Sequence, residues 1–156
     1  MLEIENILIE RRTITPEAAI LLRERGLDKA REIGVSGFLM VFDAQGVQLT
    51  SQGVGEHTHL SVEIATAKAK TVLAMNRSTR VQRERMKSKS QNREDFGGQI
   101  GSLFGGGVAI FADEAKTGFV GAMAFSGGTE EQDEEICAIA ITSLGLYTDL
   151  PPKATY

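Results

Sequence analysis

The amino-acid sequence predicts an α+β protein in which an antiparallel sheet packs against helices. Two stretches of the sequence each contain a pair of apolar segments joined by a short polar turn, which is the pattern of a β-hairpin. Each stretch is followed by a segment with apolar residues at helical spacing. A further helical segment precedes the first hairpin, and this order of elements is typical of an antiparallel sheet covered by helices.

The chain has 156 residues, which fits a single domain, and its first helix is predicted over residues 16–33. Thr15 suits the N-cap and Pro16 suits the first helical position. Residues 1–11 are expected to form an N-terminal strand or arm. If residues 6–10 pair as an edge strand, the sheet has five strands.

The first hairpin is predicted from residues 37–43 and 47–52. The earlier segment is apolar on both faces, so we expect a central strand that is covered on both sides. The later segment alternates apolar and polar residues, and Gly46 allows the tight turn between the two. A second helix is predicted over residues 61–75, with Ser61 as its cap.

Residues 76–93 are strongly basic, although the whole chain has a net charge of -4. The segment contains seven lysine or arginine residues and a single acid, Glu84, so its charge is +6 and that of the remainder is -10. It lacks aromatic residues that could stack on bases, so no nucleic-acid partner is expected. We interpret the segment as a partly helical, solvated surface.

The second half of the chain has the same pattern of hairpin and helix. Residues 108–112 and 118–125 are predicted strands, and the second of them is apolar on both faces. A last helix is predicted over residues 130–145. Thr129 and Gln132 have the spacing of a capping box at its start.

The composition excludes several classes of protein. Hydrophobic residues make up 42% and charged residues 24%, which excludes wholesale disorder. Every apolar run is far shorter than the ~20 residues that cross a bilayer, so no membrane partner is expected. The acidic N-terminus does not resemble a signal peptide. We therefore expect a cytoplasmic protein with a single domain over residues 1–156, of which residues 146–156 form an irregular tail.

His57 and His59 lie in a predicted loop, and Glu63 follows four residues after the second histidine. Two imidazoles and a carboxylate at this spacing can bind iron, zinc or manganese. The alternative is that both histidines are polar surface residues. The sequence leaves both interpretations open.

Two glycine clusters could contribute to a binding site. Gly105, Gly106 and Gly107 precede a strand, at a point where either another part of the backbone or a ligand comes close. Gly127 and Gly128 lead into a helix, where free N–H groups can hold a small anion or the glycines merely permit a tight turn. No Gly-Lys-Ser or Gly-Lys-Thr sequence follows either cluster, so no nucleotide cofactor is expected.

Two further side chains have alternative interpretations. Lys68 lies among alanines in the second predicted helix. It is either a surface lysine whose stem covers apolar surface or a partner for a ligand carboxylate. Cys137 is the only cysteine, so it cannot form an internal disulfide, and it is predicted to be a small core residue.

Short motifs of one family occur in the expected order along most of the chain. They are Arg12–Thr15, Val41–Gly46, Ile64–Ala69, Phe104–Val108 and Phe125–Thr129. On these motifs, residues 12–144 resemble the GlcG/HbpS-like family, which includes the C-terminal domain of PduO-type corrinoid adenosyltransferases. The resemblance implies a profilin-like α/β/α sandwich and assembly into homo-oligomers, often octamers.

The resemblance also suggests a ligand. Some members of the family bind haem, and in some of them this binding is attributed to a histidine near the first helix. Residues 16–33 contain no histidine in this sequence, so it would have to be replaced by His57 or His59, or by Met40 or Met75 if one of them is buried near the site.

Two functions are compatible with these features. The leading hypothesis is a small-molecule binding protein for haem, another tetrapyrrole or a similar anionic ligand. Its predicted ligand-binding residues are His57, His59, Lys68, Arg77, Gly105, Gly106, Gly107, Gly127 and Gly128. The alternative is a hydratase, isomerase or lyase that acts on a small organic acid or an aromatic catabolite. In that enzyme both histidines would be catalytic acid-base residues, Lys68 would hold the substrate carboxylate, and the metal set described above could bind a divalent ion.

Overall fold

The computed structural model of the chain describes Met1 and residues 3–152, and it is α+β as predicted. Within that part of the chain, four α-helices surround a four-stranded antiparallel sheet, and none of the helices is long and apolar enough to span a membrane. The elements are α1 (Pro16–Glu32), β1 (Gly37–Asp43), β2 (Gln48–Val54), α2 (His59–Met75), α3 (Thr79–Ser88), β3 (Gly107–Phe111), β4 (Phe119–Ser126), α4 (Glu130–Ser143) and two short 3-10 helices (Ile4–Asn6 and Arg93–Phe96). Leu2 of the predicted arm and residues 153–156 of the predicted tail lie outside the described residues.

The strands lie in the order β2-β1-β4-β3, so the two hairpins meet at the central pair of β1 and β4. The prediction of a fifth strand at residues 6–10 is wrong. The described N-terminal residues form a 3-10 turn, and Ile7, Leu8 and Ile9 are exposed. The edge strands of the sheet are β2 and β3, and residues 6–10 pair with neither of them.

Hydroxyl groups at the start of α3 cover the outer edge of β3. Thr79 Oγ1 accepts a hydrogen bond from Gly107 N at 3.2 Å, and Ser78 Oγ accepts one from Ala109 N at 2.9 Å. The last residue of β3 exchanges two backbone hydrogen bonds of 2.9 Å with Tyr147. These contacts satisfy backbone groups that an edge strand otherwise leaves unpaired.

Both faces of the sheet are covered, as the apolar pattern of β1 predicts. Leu39 and Val41 share a core with side chains of α1 and α4, whereas Met40 and Phe42 belong to a second core under α2. Successive side chains of a strand point to opposite faces, so one apolar strand supplies both cores. Cys137 is fully buried in the first core, as predicted, and burial raises the pKa of its thiol.

The helix starts agree with the sequence at α1 and α4 but not at α2. The predicted caps of α1 and α4 accept hydrogen bonds from backbone N–H groups of the first turn. In α2 the cap is Thr58 and not Ser61, because Thr58 Oγ1 accepts a hydrogen bond from Ser61 N at 3.3 Å. As a result α2 begins at His59, which lies in the helix and not in the predicted loop.

Candidate functional site

A pocket of about 430 Å³ lies where β1 begins, β4 ends and α2 begins. Of the predicted site residues it brings together His57, Gly127 and Gly128. The other lining residues are Gly34, Val35, Ser36, Glu56, Thr58, Ser61 and Gln132. Sequence reasoning missed these residues as site residues. Glu56 and Thr58 flank His57 in the sequence but carry no distinctive motif, whereas Ser36 and Gln132 become its neighbours only when the ends of the three elements meet.

His57 has a defined position in this pocket. Its ring packs against Phe38, with the two ring centroids 5.5 Å apart. A Cβ at Gly53 would lie 2.1 Å from His57 Cε1, so the glycine makes room for the imidazole. His57 Nδ1 lies 3.3 Å from the carbonyl oxygen of Gly55. When Nδ1 is protonated and donates to that carbonyl, Nε2 has its lone pair available for a metal ion.

His59 does not line this pocket. It is exposed on the first turn of α2, and its Nε2 lies 3.3 Å from Oε1 of Glu63, one helical turn away. Among the described residues, no three histidine, cysteine, aspartate or glutamate side chains are grouped so that they could hold a metal ion. The predicted metal set of His57, His59 and Glu63 is therefore not supported.

Two N–H groups just before α4 already have acceptors. Gly128 N donates to Asp133 Oδ1 at 2.8 Å, and the next N–H along the chain donates to Gln132 Oε1 at 2.9 Å. A Cβ at Gly127 would lie 2.0 Å from the carbonyl oxygen of Ser36. The two glycines therefore permit a tight passage of the backbone, and a small anion held by free N–H groups is not supported.

Lys68 is buried in an ion pair with Asp133. Lys68 Nζ lies 2.8 Å from Asp133 Oδ2 and donates a second hydrogen bond, of 2.9 Å, to the carbonyl oxygen of Phe125. Each of the two charged side chains is only 3% exposed. Burial raises the pKa of Asp133, and the adjacent Lys68 opposes that rise. Lys68 is thus neither a surface residue nor a free cation, and its position does not support the predicted binding and catalytic roles.

The same buried network accounts for the glycine run before β3. Gly106 has a φ of +115°, and a Cβ there would lie 2.6 Å from Asp133 Cβ and 2.7 Å from Lys68 Nζ. A Cβ at Gly105 or at Gly107 would lie 3.0 Å or 2.7 Å, respectively, from a side-chain carbon of the protein. Protein atoms, and not a ligand, are what come close to these glycines.

Arg77 lies at the opposite end of α2 from His57. With 17 residues, α2 is about 25 Å long at a rise of 1.5 Å per residue. The predicted single pocket is therefore divided among three places: the pocket at His57, the buried network at Lys68 and a second pocket at Arg77. The predicted catalytic set of both histidines and Lys68 is not assembled, and no observation favours the enzyme hypothesis.

Two arginines of the basic segment bind the acidic start of α4. Arg83 and Glu130 form a bidentate pair with distances of 2.6 and 3.2 Å, and Arg80 Nε lies 2.9 Å from Glu134 Oε1. The hydrogen-bonded Arg83 guanidinium holds the pKa of Glu130 below its usual value, whereas burial raises the pKa of Glu134. The segment is thus more than the predicted solvated surface. The sequence did contain a signal for this contact, because α3 is basic and the first turns of α4 are acidic.

The variant Glu130→Gln tests the pair with Arg83 through its pH dependence. Since the folded pKa of Glu130 is lowered, the pair stabilises the protein above the ordinary carboxyl pKa of 4.5 and loses this effect as the pH falls through the lower folded value. We expect the variant to be less stable than the wild type by about 0.5–1 kcal/mol at neutral pH. The difference should shrink in acid. Urea unfolding at neutral and at acidic pH measures the difference in the free energy of unfolding. A difference that is unchanged in acid would contradict the stabilising role of the pair between Glu130 and Arg83.

Comparison with known proteins gives one family and several related structures. A family model described as haem-degrading protein, HbpS-like, matches residues 14–142. The crystal structure of a PduOC–haem complex aligns with a TM-score of 0.74 at 24% sequence identity and covers 87% of this chain and 98% of that one. The protein ORFY of Klebsiella pneumoniae aligns with a TM-score of 0.76 at 26% identity, covering 93% and 97%.

A double mutant of HbpS from Streptomyces reticuli aligns with a TM-score of 0.75 at 20% identity and covers 93% of this chain and 96% of that one. No curated protein sequence matches the chain significantly. The alignments span nearly the whole of each structure, so the similarity extends beyond the sheet to the helices on both of its faces.

Proposed function

The chain belongs to the family of haem-degrading, HbpS-like proteins, and from this membership we propose that it binds haem or a similar tetrapyrrole in the pocket beside His57. The family resemblance predicted from the sequence is thereby confirmed. One of the related structures, that of PduOC, is a complex with haem, which supports haem as the first ligand to test.

The observation that carries the proposal is the position of His57. Contacts with Phe38, Gly53 and the carbonyl of Gly55 hold the ring, and they leave Nε2 as the nitrogen that can bind iron. A histidine nitrogen is a common axial ligand of haem iron. The pocket volume of about 430 Å³ also falls within the roughly 300–1,000 Å³ that is usual for small-molecule sites.

The same geometry limits what else in the chain can hold the ligand. Lys68 is paired with Asp133, and Arg77 lies at the far end of α2, so neither reaches a carboxylate of a tetrapyrrole bound at His57. The hydroxyl groups of Ser36, Thr58 and Ser61 line the pocket and can form hydrogen bonds with a ligand, and the wall also contains the acidic Glu56. A bound haem would supply the redox chemistry of its iron, while the protein positions the imidazole.

The test is a titration of the purified full-length protein with hemin, followed by the Soret band. In His57→Ala we expect the affinity to fall by at least about tenfold, because even outer-shell partners of metal ligands act on that scale. His59→Ala is the matched control. It removes a histidine that is two positions away, exposed and outside the pocket, so its affinity should remain within about twofold of wild type.

A Soret band that shifts equally in both variants and in the wild type would exclude His57 as the iron ligand. No shift in the wild type would exclude haem binding itself.

The expected homo-oligomer stays a prediction. The exposed side chains of Ile7, Leu8 and Ile9 support it, since an apolar segment of this kind is stabilised by burial against another subunit.

A further inference from the structure

A second pocket, of about 450 Å³, lies at the end of α2 that is distant from His57. Its wall includes two cations, Arg77 and Lys116, and two aromatic rings, Phe111 and Phe119. The acidic residue in the wall is Asp149. The proposed haem site uses none of these residues, so the two pockets are separate sites.

Among the described residues, the two cations of this pocket have no acidic partner within 4.0 Å. Arg77 is partly buried, and its guanidinium makes two long contacts with described residues, of 3.4 Å to the carbonyl oxygen of Met75 and 3.5 Å to Gln82 Oε1. In the part of the chain that the structure describes, neither Arg77 nor Lys116 forms an ion pair within 4.0 Å. A partly desolvated guanidinium without a carboxylate favours binding of an external anion.

Two acidic side chains near the pocket, Asp113 and Asp149, accept hydrogen bonds from the protein. Both carboxylate oxygens of Asp149 accept hydrogen bonds from Ser78, one from its backbone N at 3.0 Å and one from its hydroxyl. Asp113 accepts hydrogen bonds from Gly118 N, at 2.7 Å, and from Thr117. This ordered turn carries Lys116 at a φ of +60°, which is uncommon for a residue other than glycine. The position of Lys116 beside the pocket is therefore set by the turn.

The aromatic wall determines the kind of anion. The rings of Phe111 and Phe119 are in an edge-to-face arrangement with centroids 6.0 Å apart, and Met75 and Val81 add apolar surface. We propose that this pocket binds a small monocarboxylate with a flat apolar body. The carboxylate pairs with Arg77 and Lys116, and the body packs against the two phenylalanines.

Titration calorimetry of the full-length protein with benzoate tests this proposal, with benzamide as the neutral probe and inorganic phosphate as an anion without an apolar body. We expect benzoate to bind, and both Arg77→Gln and Lys116→Gln to weaken it by about tenfold or more. The control Lys87→Gln removes an exposed lysine that pairs with Glu84 on α3, and it should leave the affinity within about twofold.

The outcomes are distinct. No binding of benzoate, or equal binding by the wild type and Lys116→Gln, would overturn the site. Because Lys116 lies on an exposed turn, its replacement leaves the packing of the core unchanged. Phosphate or benzamide binding as tightly as benzoate would overturn the proposed ligand class. A hemin titration of Lys116→Gln should match that of the wild type, which separates failure here from failure at His57.

Discussion

Replacement of Asp133 by alanine is expected to lower the free energy of unfolding by about 3–5 kcal/mol, because it leaves the ammonium of Lys68 buried without a counter-ion. The same change removes the acceptor of the Gly128 N–H. A loss of this size is a large part of the roughly 5–15 kcal/mol that stabilises a typical domain. Urea unfolding followed by circular dichroism at neutral pH measures it.

Two further variants separate the lost charge pair from a general effect of losing a carboxylate. The double variant Lys68→Met with Asp133→Ala removes both charges, so it should recover much of the stability lost in the single variant. Asp28→Ala removes an exposed helical aspartate that pairs with Arg31, and it should cost less than about 0.5 kcal/mol. A single Asp133 variant that is as stable as Asp28→Ala would refute the energetic role of the buried pair.

The variant Gly106→Ala is expected to destabilise the protein by about 3 kcal/mol or more, for two additive reasons. The backbone at φ +115° is strained for any residue with a Cβ. The new methyl group would also lie 2.8 Å from the carbonyl oxygen of Phe125, in addition to its contacts with the buried ion pair, and overpacking of a rigid site costs about 1–3 kcal/mol. Thermal or urea unfolding of the variant gives the value.

Gly34→Ala is the matched control for backbone strain alone. Gly34 also has a left-handed φ, of +71°, but a Cβ there would meet no atom within 4 Å. This substitution should cost only about 1 kcal/mol. Equal losses at positions 34 and 106 would mean that the crowding around Gly106 contributes nothing.

The local features of the fold could be predicted because their signals are close together in sequence. Thr15 and Pro16 mark the start of α1, and the apolar run of residues 37–43 coincides with β1. The predicted strand at residues 6–10 failed because apolar composition alone does not show whether a segment pairs with a sheet. The choice of Ser61 over Thr58 failed because two candidate caps stand three positions apart, and only hydrogen-bond geometry distinguishes them.

The site was less predictable because its contacts join distant positions. Lys68 and Asp133 are 65 positions apart, and Arg83 and Glu130 are 47 apart. A lysine among alanines has the same local pattern whether it is solvated or buried, so only the folded arrangement shows that it is paired. His57 was predicted as a site residue from its chemistry and stays a prediction, whereas the polar residues that line the pocket with it belong to no recognisable motif.

The strand order β2-β1-β4-β3 has a consequence for the kinetics of folding. Within each hairpin the paired strands are neighbours in sequence, and such units form in about 1–10 μs. The seam between β1 and β4 is different, because its register joins Asp43 to Gly121 and Phe38 to Ser126. That pairing closes a loop of about 80 residues, whose entropy must be lost before the contacts of the seam form. We therefore expect the pairing of β1 with β4 to form more slowly than either hairpin.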